Sequence, residues 1–555
     1  MRNKNLENEL KLKSLLTEAH QALHAGAIEI AKKKYKQCLK IAPKNPHVNS
    51  GMAQALDALQ FNERAGQYYF KSTIYSDEAP EFTFHYACWL FKGKKYTEAL
   101  PWFKKLIDRY ENIGIAPPNA DLIYKSSLMN LGAILRSMGR SADAISVYKK
   151  MISIFGSHPD ILFNLGNAYE TEGRYNEAIE CLEGALAHNP ADVEVRVNLA
   201  YIKNIIGELD DAERILALYN ENENGTHVSE VKFGLALTKL KKKNFEDGWT
   251  LYNHRWIDEN FLGRQQKIHS NLRDKYRLDY KIADLKKKNI LVVAEQGTGD
   301  VIMFSRYLNS LIEIANSVTM LIDQRQKTFF SNSFPSVNFI NIDDEFSAKL
   351  NNYDIYIPVG SLPSIFYTLE KTKQKNRYLY PTPNAVNKFK SFFPEGNKKY
   401  VGLSWQGGGY STGMKQRSID LTKLQKILDL ENFQFVSLQY GEAARDVQKL
   451  SDPLKGKITQ FSQETISDFD DLAGIIENLD LVISVQNTVV HLSGSMGKKC
   501  YVAIPVFPEW RYGLTGSTME GYGSVELIRQ KEKDNWEEVI NYIHDELLKF
   551  GANNE

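Results

Sequence analysis

A small residue recurs at a fixed interval through the first half of this chain: Ala19, Ala53, Ala87, Gly132, Gly166, Ala200 and Gly234, at successive spacings of 34, 34, 45, 34, 34 and 34. Twelve positions after each of the first six stands an alanine: Ala31, Ala65, Ala99, Ala144, Ala178 and Ala212. No other feature constrains the fold as strongly, because a unit of this length cannot bury its apolar face alone and must stack on its neighbours. Small residues at both anchors let two antiparallel helices approach closely, while leucines and aromatics fill the space between units. Pro43 and Pro190 stop the second helix of their units. Residues from about 14 to 257 therefore read as about seven helix-turn-helix units. The 45-residue step contains "ENIGIAPPNADL", whose Pro117-Pro118 reads as an inserted loop.

The clearest unit, "DILFNLGNAYETEGRYNEAIECLEGALAHNP", carries Leu165, Gly166, Tyr169, Gly173, Tyr175, Ala178, Ala185 and Pro190, and on those positions it resembles the tetratricopeptide repeat. Such arrays imply a concave face that holds an extended peptide or a partner protein, and they also serve as dimerisation surfaces or spacers. The seventh unit departs from the pattern, with Glu246-Asp247-Gly248-Trp249 where an alanine is expected. Trp249, Tyr252 and Trp256 fall at helical spacing and are expected to cap the array and fasten it to the second half of the chain.

Beyond a charged, irregular stretch at 258–288 the period changes. Apolar, β-rich runs appear at "NILVVA", "SVTMLI", "VNFINI" and "YDIYIP", and again at "KYVGLSW", "FQFVSLQ", "LDLVIS" and "CYVAIP", with helix-length segments between them. This alternation predicts two parallel sheets covered on both faces, with ligands at their strand ends. The Pro-, Asn- and Lys-rich stretch around 385–398 reads as a linker between a half at 289–384 and a half at 399–531. Within the closing 532–555, the stripe Trp536, Val539, Ile540, Ile543 and Leu547 predicts an amphipathic helix able to pack across both halves.

Composition narrows the function classes. Lys+Arg of 69 against Asp+Glu of 68 leaves a net charge of +1 over 555 residues, so no global charge favours a polyanion partner. Cys38, Cys88, Cys181 and Cys500 lie far apart, which supports neither a zinc site nor a disulfide framework. The opening "MRNKNLENELKLK" is charged where a signal peptide needs an apolar core, and no apolar run approaches the ~20 residues of a membrane helix. A cytoplasmic protein without an integral membrane segment is expected.

No P-loop and no H-E-x-x-H zinc motif is present. "AEQGTGDVIMFSRYL" offers Gly297, Gly299 and Asp300 but lacks the third glycine of a dinucleotide site. The triplet "DFD" at Asp468–Asp470 has a spacing used for metal-bound sugar diphosphates, yet it precedes a helix-like run and reads as an N-cap.

Three stretches in order carry a further resemblance: "AEQGTGDVIMFSRYL", then "VGLSWQGGG" with "KQRSIDL", then "DLVISVQNTVVHLSGSMGKKCYVAIPVFPEWRYG". After tetratricopeptide repeats, they resemble a bacterial repeat-fused glycosyltransferase related to the heptosyltransferases and, more distantly, to the O-linked N-acetylglucosamine transferases. The resemblance implies an α-solenoid followed by a GT-B pair of Rossmann-like domains, with the acceptor on the first half and the nucleotide sugar on the second. It implies no metal and no cofactor, the leaving diphosphate being neutralised by amides, a helix N-terminus and cations. Gln486, Asn487 and Thr488 at a strand-to-helix turn, with His491 one turn inside, then face the phosphates. Lys415 and Arg417 would clamp them from a Gly- and Ser-rich loop. Trp405, Gln406 and Gln439, with Tyr440, fall on the same side.

Each residue has a second, purely structural role open to it. His491 could be satisfied by a carbonyl, Arg417 could pair with Asp420 on a surface turn, and Trp510 and Arg511 could close the cleft by stacking. Relatives often carry an Asp-Thr pair where this chain has Gln486-Asn487. Asp300 matches the expected base that takes a proton from the incoming hydroxyl, with Glu295 as its substitute, and it is equally placed to cap a helix. The resulting expectation is an inverting glycosyltransferase acting on a protein, such as flagellin or another surface protein, recruited by the repeats. A glycan or lipid-linked envelope precursor as acceptor, and a scaffold with a degenerate transferase half, stay open beside it.

Overall fold

The computed structural model describes residues 2–113, 122–219, 227–257, 272, 276–341, 352–371, 377–408, 414–439, 441, 443–462 and 464–552. The inserted loop with Pro117-Pro118, Tyr440 and nearly all of 258–275 lie outside the described residues. The chain divides into two compact units, Met1–Ala191 and Asp192–Glu555.

The described part of the first unit holds ten helices: α1 (Arg2–His24), α2 (Ile28–Ile41), α3 (Pro46–Ala58), α4 (Asn62–Tyr75), α5 (Pro80–Lys92), α6 (Tyr96–Ile113), α7 (Leu122–Ser137), α8 (Ser141–Phe155), α9 (Pro159–Thr171) and α10 (Tyr175–His188). The anchors Ala19, Ala53 and Ala87 and their partners Ala31, Ala65 and Ala99 are fully buried where the paired helices touch. Their smallness is required. At Gly132 an added Cβ would run into the Tyr148 ring of the facing helix.

The second unit opens with the last repeat helices, α11 (Val193–Ile206), α12 (Leu209–Ala217), α13 (Val228–Lys241) and α14 (Phe245–Tyr252). In the irregular seventh repeat the small residue has moved to Gly248, where a Cβ would stand 2.7 Å from Leu240. Trp249 and Tyr252 belong to the same apolar core as the first sheet, so α13 and α14 join the end of the repeats to that sheet.

The first sheet is parallel throughout, in the order β3-β2-β1-β4, from β1 (Asn289–Val293), β2 (Ser317–Leu321), β3 (Val337–Ile340) and β4 (Ile355–Pro358). The second has seven strands in the order β10-β11-β9-β8-β5-β6-β7. They are β5 (Lys399–Ser404), β6 (Phe433–Ser437), β7 (Ile458–Thr459), β8 (Leu481–Val485), β9 (Cys500–Ile504), β10 (Thr518–Met519) and β11 (Tyr522–Arg529), parallel except for the β10–β11 pair. β8 and β9 are buried at every position, as strands covered on both faces must be.

Two expectations need correction. The stretch read as a linker at 385–398 begins inside the helix Pro383–Lys390, which packs hard on the helix Phe469–Glu477: a Cβ on Gly474 would stand 2.5 Å from the Ala385 carbonyl oxygen. The Pro-rich composition marks a helix start, with Thr382 as its cap, at the head of the stretch read as a linker. The closing helix Glu537–Ala552 does not bridge the sheets. Its stripe Val539, Ile540, Ile543 and Leu547, with Trp536 just ahead of it, joins Val401, Leu403 and Tyr501 in the core on one face of the second sheet.

Candidate functional site

In an open parallel sheet the strand order reverses at one point, and the crevice at the carboxyl ends there is the natural ligand position. The second sheet reverses between β5 and β8. β5 runs into Trp405 and Gln406, and β8 runs into Gln486, Asn487 and the helix Thr488–Ser495. Asn487 caps that helix, accepting from the Val489 N–H at 3.0 Å, and its amide donates to Ser404 Oγ at 2.7 Å and to the Gln406 carbonyl at 3.0 Å. Asn487 thus ties both strand ends together.

Gln439 performs a similar task after β6. Its Oε1 accepts from Ser404 Oγ at 3.1 Å and from the N–H groups of Trp405 and Gln406 at 3.1 and 2.9 Å. Trp405 is buried in the core of this half, its indole donating to Asp446 at 2.9 Å, and the Gln406 amide donates to the same carboxylate. The Gln439 side chain thus holds the backbone of Trp405 and Gln406 at the end of β5. Gly407 allows the loop to cross the helix start, since a Cβ there would stand 2.6 Å from the Gln486 carbonyl oxygen.

Gln486 is different. It is 2 % exposed, its Oε1 accepts from the Glu509 N–H at 3.5 Å, and its amide nitrogen has no hydrogen-bond partner among the described residues.

The first sheet reverses between β1 and β4, and there the crevice is filled. Glu295 accepts from Arg255 Nε at 3.1 Å, from the Trp256 indole at 3.0 Å and from the Gly360 N–H at 3.0 Å, and Arg255 Nη2 closes a second contact to its other oxygen. Both side chains of this ion pair are fully buried. Glu295 is therefore removed from the role of substitute base, because a desolvated carboxylate with this many donors has no lone pair directed at a substrate.

Two residues further on, Gly297 caps the helix Thr298–Ser305, and the left-handed position of the loop is Gln296 at φ 62°, not either glycine. Gly299 matters through proximity. A Cβ there would stand 3.1 Å from His491 Cδ2 and 3.6 Å from Thr488 Oγ1, so the first turns of the Thr298 and Thr488 helices, one from each sheet, are in contact.

Asp300 sits three residues into its helix and is not the N-cap. Its Oδ2 accepts from the Gly297 N–H at 3.2 Å, and Oδ1 pairs with Arg511 Nη2 across the crevice. Arg511 Nη1 also pairs with Glu509 Oε2 at 3.0 Å, and Arg417 Nη1 reaches Glu509 Oε1 at 2.6 Å. A continuous chain Asp300–Arg511–Glu509–Arg417 results, and Arg417 finds Glu509 where a partner at Asp420 was the alternative. Burial opposes the charge on Arg511, but the carboxylates of Asp300 and Glu509 hold its pKa above the usual arginine value. Lys415 lies on the short helix Met414–Arg417, its side chain outside the described part.

His491 is buried, and its Nδ1 lies 3.1 Å from the Tyr522 hydroxyl. Burial, with help from the Arg511 charge, pushes its pKa down to about 3. A histidine depressed in the folded state binds fewer protons than the unfolded chain between that value and 6.5, so stability should fall as pH drops through this window and stay level above it. Urea titrations from pH 4 to 7 check this: His491→Gln should flatten the acid limb, and an unchanged limb would assign the acid sensitivity elsewhere.

Sequence reasoning missed Glu509, Tyr522 and Lys241. β11 carries Tyr522, and its alternating pattern "YGSVELIR" was the available signal. Lys241 of α13 donates to the carbonyls of Asn204 at 2.6 Å and Ile205 at 3.1 Å, and burial pushes its pKa down to about 7, with Glu509 opposing the shift. Asp468 caps the helix Phe469–Glu477, and Asp470 accepts from the Thr382 N–H at 2.9 Å and from its hydroxyl at 2.6 Å, so the carboxylates of "DFD" are occupied in structure.

The class of molecule is thus a tetratricopeptide solenoid in the N-terminal part, joined to a region of parallel sheets. Family models described as tetratricopeptide repeat match residues 124–191 and 171–232. The chain is similar to protein FlbA of Caulobacter vibrioides, 23% identical over 447 residues that span 76% of this chain and 72% of FlbA. That span exceeds the repeats, so the likeness continues into the sheets. A shorter likeness, 33% over 89 residues, links it to the human protein O-mannosyl-transferase TMTC1, covering 16% of this chain and 10% of that protein. Among solved structures, a tetratricopeptide repeat protein from Parabacteroides merdae is 11% identical, covering 48% of this chain and 98% of its own, at a TM-score of 0.40. Among the described residues, no helix is long and apolar enough to cross a membrane.

Proposed function

We propose that the chain is a glycosyltransferase of GT-B type that moves a sugar from a nucleotide-activated carrier to a protein held by the repeats. One observation carries this reading: the Thr298 and Thr488 helices, each starting at the strand end of its own parallel sheet, are in contact through their first turns beside Arg417 and Arg511. Two helix N-termini and two guanidiniums are what a leaving diphosphate needs, since partial positive charge, N–H groups and forked cations all favour phosphate oxygens. His491, neutral at physiological pH, adds a hydrogen-bonding ring without a charge. The acceptor hydroxyl would approach from the first sheet, where Asp300 takes its proton as the bond to the anomeric carbon forms. The likeness to an O-mannosyl-transferase and the protein-binding habit of tetratricopeptide arrays support a protein acceptor.

One observation favours a second reading, a scaffold without turnover: both Asp300 oxygens are engaged, by the Gly297 N–H and by Arg511. Co-expression with candidate acceptors such as flagellin, followed by intact-mass measurement, separates the two. A mass increment of one or more sugar residues that disappears when residues 1–191 are deleted is expected. The cut belongs at 191 because residues 192–257 are built into the second unit, and removing them would take Arg255 from Glu295 and Trp249 and Tyr252 from the core of the first sheet. Full modification by the truncated chain would sink the role of the repeats, and an unmodified acceptor with every nucleotide sugar would favour the scaffold.

A further inference from the structure

The geometry points to Glu509 as an exchangeable counter-anion that holds the phosphate position of the nucleotide-sugar site, an inference that rests on the transferase reading above. Its two carboxylate oxygens go to two different guanidiniums, Oε1 to Arg417 at 2.6 Å and Oε2 to Arg511 at 3.0 Å. That is the bridging a diphosphate would make, and phosphate oxygens match the arginine fork at least as well as a carboxylate does.

Among the four charged groups, Glu509 is the one best able to leave. Its side chain is 30% exposed, against 15% for Arg417, 12% for Arg511 and 14% for Asp300. Its backbone is held independently, following Pro508 in the loop after β9 with its N–H directed at Gln486 Oε1, so the side chain can turn without moving the chain. The Gln486 amide nitrogen, buried and without a described partner at the start of the Thr488 helix, is a second and separate sign of a ligand group in this place.

The exchange has a direct mechanistic consequence. Arg511 is shared by Asp300 and Glu509, so an arriving diphosphate competes with both carboxylates for it. Binding therefore turns Glu509 outward and loosens Asp300 from its ion pair, which readies Asp300 to accept a proton only once the nucleotide sugar is in place.

Removing the competing charge while keeping its shape should then improve binding. By calorimetry on the full chain, Glu509→Gln should bind UDP or GDP, and inorganic pyrophosphate, roughly three to ten times more tightly than the wild type, whereas Arg417→Ala should bind them more weakly. Glu509→Ala carries the same expectation. Equal or weaker binding by the Glu509 variants, with a wild type that binds and transfers, overturns the exchange and leaves the transferase reading standing. Absence of binding to all these probes by wild type and variants alike removes both. Failure of both Glu509 variants to fold also overturns the exchange, because an acid that leaves its arginines during binding is not needed for the fold.

Discussion

Asp300→Asn is expected to cut sugar transfer by roughly two to four orders of magnitude, the usual contribution of a positioned general base. The substitution keeps the size of the side chain and one acceptor oxygen for the Gly297 N–H, so the helix start survives. It removes the charge that Arg511 pairs with across the crevice, but Arg511 retains Glu509. Nucleotide affinity should consequently hold or rise while turnover collapses. Single-turnover transfer measured beside nucleotide titration checks this, because a proton acceptor acts on turnover and not on nucleotide binding. A parallel fall in affinity, turnover and unfolding midpoint would reduce Asp300 to its part in the helix start.

The second large effect concerns stability. Glu295→Gln leaves Arg255 charged, desolvated and short of its counter-ion, and breaking a buried pair in this way costs about 3–5 kcal/mol. The surroundings leave little room for rescue. Arg255 is fixed by the Tyr252 carbonyl at 2.9 Å and Ser361 Oγ at 3.0 Å, and its guanidinium stacks over the Tyr252 ring with Cζ 4.5 Å from the centroid. Water cannot reach it. Denaturant unfolding of the second unit should show the loss, and the double replacement Arg255→Met with Glu295→Leu should recover much of it, since no uncompensated charge then remains. A small loss in the single variant would mean that the pair is hydrated and that the first crevice is open after all.

These two acids show how far the sequence could be read. Asp300 and Glu295 lie five positions apart in one motif, and both were candidates for the same chemical task. Their fates diverge for a reason remote from the motif: Glu295 meets Arg255 from the end of the repeats, while Asp300 meets Arg511 from beyond β9. His491, Gln486, Thr488 and Arg417 were also legible as a group, and the fold brings them around one crevice. Trp405, Asn487 and Gln439 were legible as positions but not in their jobs, since each holds strand ends together. Glu509 was invisible, being an ordinary acid in a turn until its two arginines arrive.

Periodicity is a local property. The 34-residue phase, the apolar runs of β8 and β9 as strands covered on both faces, and the cap at Asp468 follow from residues near one another in the chain, and the sequence by itself determined them. What it left open was decided by packing between distant segments: Arg255 with Glu295 across 40 positions, Asp300 with Arg511 across 211, and a supposed linker drawn onto the Phe469 helix by the closeness that Gly474 permits. A charged side chain takes its meaning from the dielectric and the counter-charge around it, and only the tertiary structure supplies both.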